Sequence, residues 1–183
     1  MFNIKSFENV IVDDIFGFLK EIKRICTEDT IPIDGWLTVE VIRKDGTSQI
    51  ICKDQHNLLT TTGRDFFHTQ VYTNTTAVSR GSGFIALSDN ATDPASTDTV
   101  LTGEISSGGL TRADATTKTH TTGTNVSTFI HQFLATSPFT NIHKSGLFNA
   151  STSGQLTHAA KFTTDVSLDI DDTLQVTWVL TLG

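Results

Sequence analysis

The sequence predicts a mainly β protein: an antiparallel β-sandwich, jelly-roll-like, with an N-terminal amphipathic helix and one short internal helix. Three observations lead there. Threonine makes up about one residue in six and concentrates between Thr60 and Thr140; its β-branched side chain fits the pleated, half-exposed surface of a sheet. From Gly35 onward, short alternating or continuous apolar runs recur between Gly, Asn, Asp and Ser turns. Helical periodicity is confined to two segments, too few for the regularly interleaved helices of a parallel α/β sheet.

The first helical segment covers about 10–26. Ile11, Ile15, Phe18, Ile22 and Ile25 recur at spacings of four, three, four and three, the period of one helix face. Lys20, Lys23 and Arg24 fall largely off that stripe and toward the C-terminal end, where positive charge suits the helix dipole. Pro32, within 27–34, closes the helix. Such a stripe must bury itself on its own domain or on a neighbour. The predicted division is an N-terminal helical arm, 1–34, followed by a sandwich domain, 35–183.

Trp36 to Arg43 has strand propensity, Asp45-Gly46 gives a turn signal, and Ser48 to Cys52 returns as the second arm of a hairpin. A short helix is predicted from about Thr61 to Tyr72, with Leu58, Leu59, Phe66, Phe67 and Val71 on one face. Phe84-Ile85-Ala86-Leu87-Ser88 reads as a buried strand, and the polar stretch 89–100 as a surface loop. Segment 103–113 is expected to be extended, interrupted at Ser106-Ser107-Gly108-Gly109. Further strands are expected at 126–135, 142–148 and 159–168. The last strand is the clearest, with Leu174, Val176, Trp178, Leu180 and Leu182 assigned to one face and Thr173, Gln175, Thr177 and Thr181 to the other.

Charge narrows the function classes. Thirteen Lys and Arg against 20 Asp and Glu give a net charge of −7, which excludes a generally basic nucleic-acid binder. The acids and bases are uneven: residues 1–65 carry 8 basic and 11 acidic side chains, the remaining 118 only 5 and 9. A surface solubilised by hydroxyls rather than ions suits packing against neighbouring copies, since few charges need desolvation; an ordinary exposed sheet has the same composition. No apolar run approaches the ~20 residues of a transmembrane helix. The N-terminus lacks the pattern of a secretory signal. Two cysteines, Cys26 and Cys52, without C-x-x-C spacing, are expected to be reduced thiols within the core.

Candidate chemistry reduces to bland readings. The histidines His56, His68, His120, His131, His143 and His158 form no H-x-x-x-H pair and read as surface or interface residues rather than metal ligands. Asp165, Asp169, Asp171 and Asp172 lack the D-x-D-x-D-G pattern of a calcium loop and read as a solvated turn. Arg80-Gly81-Ser82-Gly83 has a backbone able to cradle an anion but reads as a turn into the next strand. No nucleophile elbow, phosphate loop or dinucleotide fingerprint occurs, so the chain is expected to be non-enzymatic and to use neither metal nor cofactor.

The order of several motifs resembles structural proteins of tailed bacteriophages. Asn57-Leu58-Leu59-Thr60-Thr61-Thr62-Gly63-Arg64-Asp65 is similar to their segment before a helix. Phe84-Ile85-Ala86-Leu87-Ser88, with its Asp/Ala/Thr/Pro loop, is similar to a recurring strand. Ser145-Gly146-Leu147-Phe148-Asn149-Ala150, Lys161-Phe162 and the terminal run from Asp172 to Leu180 continue the likeness, which spans about 57–182. The sequence departs from the pattern at Ser88, where Gly is usual, and in the Thr-rich stretch 115–125; residues 1–34 match nothing in it.

The resemblance implies a virion component acting by non-covalent assembly in the bacterial host cytoplasm, with no catalytic residues. The first reading is a capsid decoration or cement protein on the outer shell, a small homo-oligomer such as a trimer, touching the major capsid protein. The alternatives are a tail, neck or baseplate component and, behind these, a receptor- or carbohydrate-binding module. Ile11, Ile15, Phe18, Ile22 and Ile25 are then the expected assembly interface. No direct contact with nucleic acid or membrane is expected.

Overall fold

The computed structural model describes residues 33–68 and 81–182. The predicted N-terminal helix with its apolar stripe and Cys26, and the part of the internal helix beyond His68, including Val71 and Tyr72, lie outside the described residues. The chain from Ile33 onward forms one compact unit.

Two five-stranded antiparallel sheets share a hydrophobic core. The first has the order β2-β1-β10-β7-β6, with β1 at Ile33–Ile42, β2 at Ser48–His56, β6 at Thr117–His120, β7 at Val126–Leu134 and β10 at Thr173–Leu182. The second has the order β3-β9-β8-β4-β5, with β3 at Leu58–Leu59, β4 at Phe84–Ser88, β5 at Ala113–Asp114, β8 at Phe139–Phe148 and β9 at Leu156–Leu168. One helix, α1, spans Thr61–His68.

Alternation sets the inner face. On β1, Leu37, Val39 and Val41 are buried; on β10, paired with it in unbroken register from Ile33↔Leu182 to Ile42↔Thr173, Leu174, Val176 and Trp178 are buried. Ile85, Leu87, Ile142, Leu147 and Val166 meet them from the second sheet. Trp178 joins the two layers by a polar contact as well: its Nε1 donates to Ser145 Oγ at 3.3 Å, and Ser145 Oγ donates to the Ala86 carbonyl at 3.0 Å. An indole N–H buried in the core thereby keeps a partner.

The turns follow sequence chemistry. At the β1–β2 hairpin Gly46 takes φ +86°, while Asp45 Oδ1 accepts the Thr47 backbone N–H at 2.9 Å and its hydroxyl at 2.7 Å. Thr60 caps α1, accepting the Gly63 N–H on its Oγ at 3.0 Å and donating to the Leu156 carbonyl at 2.5 Å. Gly63 itself is required by packing, because a Cβ there would overlap the carbonyl of Thr157 on β9.

Several sequence expectations need correction. Leu58 and Leu59 form β3 beside β9 rather than part of a helical face. Segment 103–113 is mostly turn and loop, held by an isolated bridge between Glu104 and Ser88. Strands β8 and β9 begin at Phe139 and Leu156, earlier than 142 and 159. On β10 the predicted core face ends early: Leu180 is half-buried and Leu182 is 51% exposed. Both border a cleft of about 520 Å³ whose apolar lining includes Phe66, Phe67 and Phe129.

The two outer faces differ. On the second sheet, the loop 89–112 closes over the outer side. Leu101 packs there against Ala86, Phe148, Leu156 and Ala159 in a second apolar cluster. Three cations hold this cover. Lys144 Nζ donates to Asn90 Oδ1 at 3.1 Å and to the Thr92 carbonyl at 3.0 Å; Lys161 Nζ reaches Asp93 at 2.7 Å. Arg112 lies 3.5 Å above the Phe148 ring, pairs with both Glu104 oxygens, and donates to the carbonyls of Ala150 and Ser153.

Candidate interaction surface

The outer side of the first sheet carries no such cover from the loop 89–112. Its side chains can be read by rows, because the register across β1, β10, β7 and β6 is continuous where those strands pair. One row is Trp36, Val179, Thr128 and Thr119; the next is Thr38, Thr177, Ile130 and Thr117. Below these lie Glu40, Gln175 and Gln132, and then Ile42, Thr173 and Leu134. At the other end stand Asp34, Thr181 and Val126. Outward positions on these four strands hold no lysine or arginine; Lys118 of β6 points the other way, opposite Phe129.

The rows are ordered by side-chain contacts. Gln132 Nε2 donates to Gln175 Oε1 at 2.8 Å, and Gln175 Nε2 to Glu40 Oε2 at 3.5 Å. At the β2 margin, His56 Nε2 is 3.2 Å from Asp34 Oδ1 and its ring meets Trp36 edge-on at 6.1 Å. Leu134 is 51% exposed and Ile50, on the edge strand β2, is 54% exposed. The face is thus built of hydroxyl, amide and aliphatic groups. Its ionised members on β1, β10, β7 and β6 are Asp34 and Glu40, both on β1, and on the neighbouring edge strand β2 Asp54 accepts from Thr38 Oγ1 at 3.4 Å.

The other residues singled out by sequence have structural roles. Cys52 is buried with Sγ 3.9 Å from the Leu37 carbonyl, and burial pushes its thiol pKa up. The four aspartates do not converge. Asp172 is buried and accepts from Arg43 Nη1 at 2.6 Å, Lys44 N at 3.1 Å and Asp169 N at 2.9 Å. Burial alone would raise its pKa, but these donors hold it below the ordinary 3.8. Asp165 instead meets His143 Nδ1 at 2.6 Å. Gly83 uses both backbone groups in the fold, its N–H donating to the Phe148 carbonyl and its carbonyl accepting from Ala115. Arg80 lies outside the described residues. Among the described residues, no group of three or more His, Cys, Asp or Glu is placed to hold a metal ion, and no helix is long and apolar enough to cross a membrane.

Two histidines correct the expectation of surface or interface residues. His158 is fully buried on β9, between Phe67 and Trp178 with ring centroids 6.3 Å away on each side. Its Nδ1 sits 3.1 Å from Thr157 Oγ1 and its Nε2 has no partner, and burial lowers its pKa to about 4. His131 lies opposite Val176 on the inner side of β7, 4.5 Å from the Phe133 ring. Its Nδ1 is also unpartnered, and burial outweighs the nearby Asp114 to lower its pKa.

Sequence reasoning also missed Lys144, a buried lysine whose pKa burial lowers. The available signal was its position in the strand Ile142-His143-Lys144-Ser145-Gly146, directly before a continuous apolar pair. No family model matches the sequence, and no curated protein matches it.

Proposed function

We propose that this chain is a non-enzymatic structural protein of a tailed-bacteriophage particle, acting as a capsid decoration protein that reinforces the shell through contacts between subunits. The observation that carries this reading is the outward face of the first sheet, which over β1, β10, β7 and β6 holds no lysine or arginine and is built mainly from threonine, glutamine and aliphatic side chains. Such a face loses little on desolvation and forms a wet, adaptable contact. Repetition over many copies makes a modest contact sufficient.

In this reading the two sheets are the layers of a β-sandwich. Its jelly-roll-like element is the wrap in which β7 and β10 pair in one sheet while β8 and β9, which follow and precede them in the chain, pair in the other. The stripe Ile11, Ile15, Phe18, Ile22 and Ile25 attaches the subunit to a neighbouring virion protein. The ordered motifs resembling tailed-phage structural proteins supply the virion assignment.

The test compares particles assembled with and without the chain under heat and osmotic challenge. Loss of particle integrity without it is the expected result. Particles of equal stability, or a chain that never co-purifies with them, would defeat the proposal.

A further inference from the structure

We infer that the outward face of the first sheet takes a second copy of this chain, the two sheets stacking about a two-fold axis that runs along β10. The inference rests on reading this face as an assembly surface and adds its occupant.

The layout of charge carries the argument. A partner presenting many cations would find only Asp34 and Glu40 on β1, β10, β7 and β6, both on β1, with Asp54 of the edge strand β2 beside Thr38; the remaining outward positions of those four strands are neutral. A neutral surface suits them better. A two-fold along β10 keeps each row level and exchanges β1 with β7. Glu40 then faces Gln132 of the second copy, an amide that can donate to it. Ile42 covers the exposed Leu134, Thr38 meets Ile130, and Trp36 meets Thr128. On the axis, Thr177 and Val179 meet their own copies. No acid opposes an acid. A two-fold across the strands would instead stack β1 on β1 and gather the acids of both copies along one strand pair.

Area and fold agree with this occupant. Strands of 9, 10, 10, 9 and 4 residues, each residue covering ~4.8 by ~3.3 Å, give a footprint of about 670 Å², in the range of the ~800 Å² per partner of a standard interface. The twist of each sheet sets stacked strands at about 30°, so matching is closest along β10 and slackens toward β2 and β6. The second sheet is unsuited to the same role, because loop 89–112 already closes over its outer side. Each chain carries a net charge of −7, so pairing strengthens as salt screens the repulsion, the reverse of an interface built on ion pairs.

The experiment uses the full chain. Sedimentation equilibrium is expected to show a mass rising from 19.9 kDa toward twice that value with concentration, and to do so more readily at higher salt. Val179→Lys, which sets an ammonium against its own copy on the axis, is expected to weaken association at least tenfold while its near-ultraviolet circular dichroism stays that of the parent. With Cys26→Ser as background, Thr177→Cys is expected to give a covalent dimer with a short bis-maleimide cross-linker, because stacked sheets ~10 Å apart hold the facing Cα atoms beyond the ~7 Å that a disulfide spans, and Thr164→Cys, at an exposed position of β9, is not. A chain that stays monomeric at millimolar concentration, equal association of parent and Val179→Lys, or equal cross-linking at both cysteines would overturn the inference. If Val179→Lys blocks incorporation into particles while the parent is monomeric in solution, the face serves another protein and self-pairing alone fails. If the chain pairs through Thr177 but never joins particles, the virion assignment alone fails.

Discussion

Protonating His158 is expected to destabilise the fold by an amount that its burial sets. The imidazole is enclosed by Phe67 and Trp178, with Nε2 unpartnered, and its pKa falls from 6.5 to about 4 because burial penalises the cation. The unfolded chain therefore binds a proton that the folded chain refuses. Stability from this residue is complete above pH 6.5, declines as pH falls toward 4, and is constant below that. Between pH 7.5 and 4.5 the linkage amounts to roughly 2.5 kcal/mol. With an m-value of about 2 kcal/mol/M, the urea midpoint should drop by about 1.2 M from this group alone. Carboxylates also respond to acid, so the informative quantity is the difference between the parent and His158→Leu, an apolar residue of similar volume. Urea unfolding of both at the two pH values should show the variant losing about 2.5 kcal/mol less. His131→Leu should show a smaller difference of the same sign, since its burial is less complete and Asp114 opposes the shift. Equal acid losses in parent and His158→Leu, or an NMR titration of His158 centred near 6.5, would refute the argument.

Other substitutions test the packing. Gly63→Ala should cost roughly 2–4 kcal/mol, because the new methyl overlaps the Thr157 carbonyl and must push α1 off β9; thermal unfolding with loss of helix signal checks it. Asp172→Asn should cost about 2 kcal/mol at pH 7 by removing the charge that meets Arg43 and the backbone of Lys44 and Asp169. The lowered pKa of Asp172 means this difference persists above pH 4 and vanishes as pH falls through the carboxyl's own titration, as urea melts across pH 2–7 would show. Arg112→Lys should cost about 2 kcal/mol, since a lysine cannot reproduce the fork to both Glu104 oxygens and the stacking on Phe148. Hydrogen exchange should then quicken in 104–112 and 149–155.

How far the sequence could be read followed which physical signal each segment carried. Strand β10 was legible because Leu174, Val176 and Trp178 alternate with hydroxyl and amide residues, the mark of a strand with one buried side. The β1–β2 hairpin was legible through Asp45-Gly46. Strand β6 was not: Thr117-Lys118-Thr119-His120 is exposed throughout, so no apolar period exists to find. Leu58-Leu59 misled for the opposite reason, two adjacent apolar residues fitting a helix or a strand equally until β9 supplies the hydrogen-bond partner. His158 looked like a surface residue because a polar side chain is priced by its usual environment. Its flanks Leu156, Ala159 and Ala160 were the clue, a buried run on both sides of the ring. The threonine- and glutamine-rich face of the first sheet was legible only as composition. Which threonines share a surface depends on register between strands distant in sequence, and that is fixed by tertiary pairing.

The scarcity of cations after residue 65 and the asymmetry of the two outer faces have one physical origin. Five basic residues occur there: Arg80, Arg112, Lys118, Lys144 and Lys161. Arg112, Lys144 and Lys161 all hold loop 89–112 and its neighbours against the second sheet, two of them largely shielded from water. Lys118 is engaged with Asp114 at 2.5 Å on the inner side of β6. A 24-residue connection of this polarity would not stay folded over an apolar cluster unless its carbonyls and carboxylates met donors, and long cationic side chains supply donors with enough reach. Among the described residues, the outward positions of β1, β10, β7 and β6 hold no lysine or arginine. There, threonine and glutamine solvate the surface beside Asp34 and Glu40, and hydroxyls and amides exchange water for a neighbour's hydrogen bonds at little net cost. The described outer side of the second sheet is thus fastened by cations, whereas the outward positions of β1, β10, β7 and β6 carry hydroxyl, amide and aliphatic groups with two acids, Asp34 and Glu40, on β1.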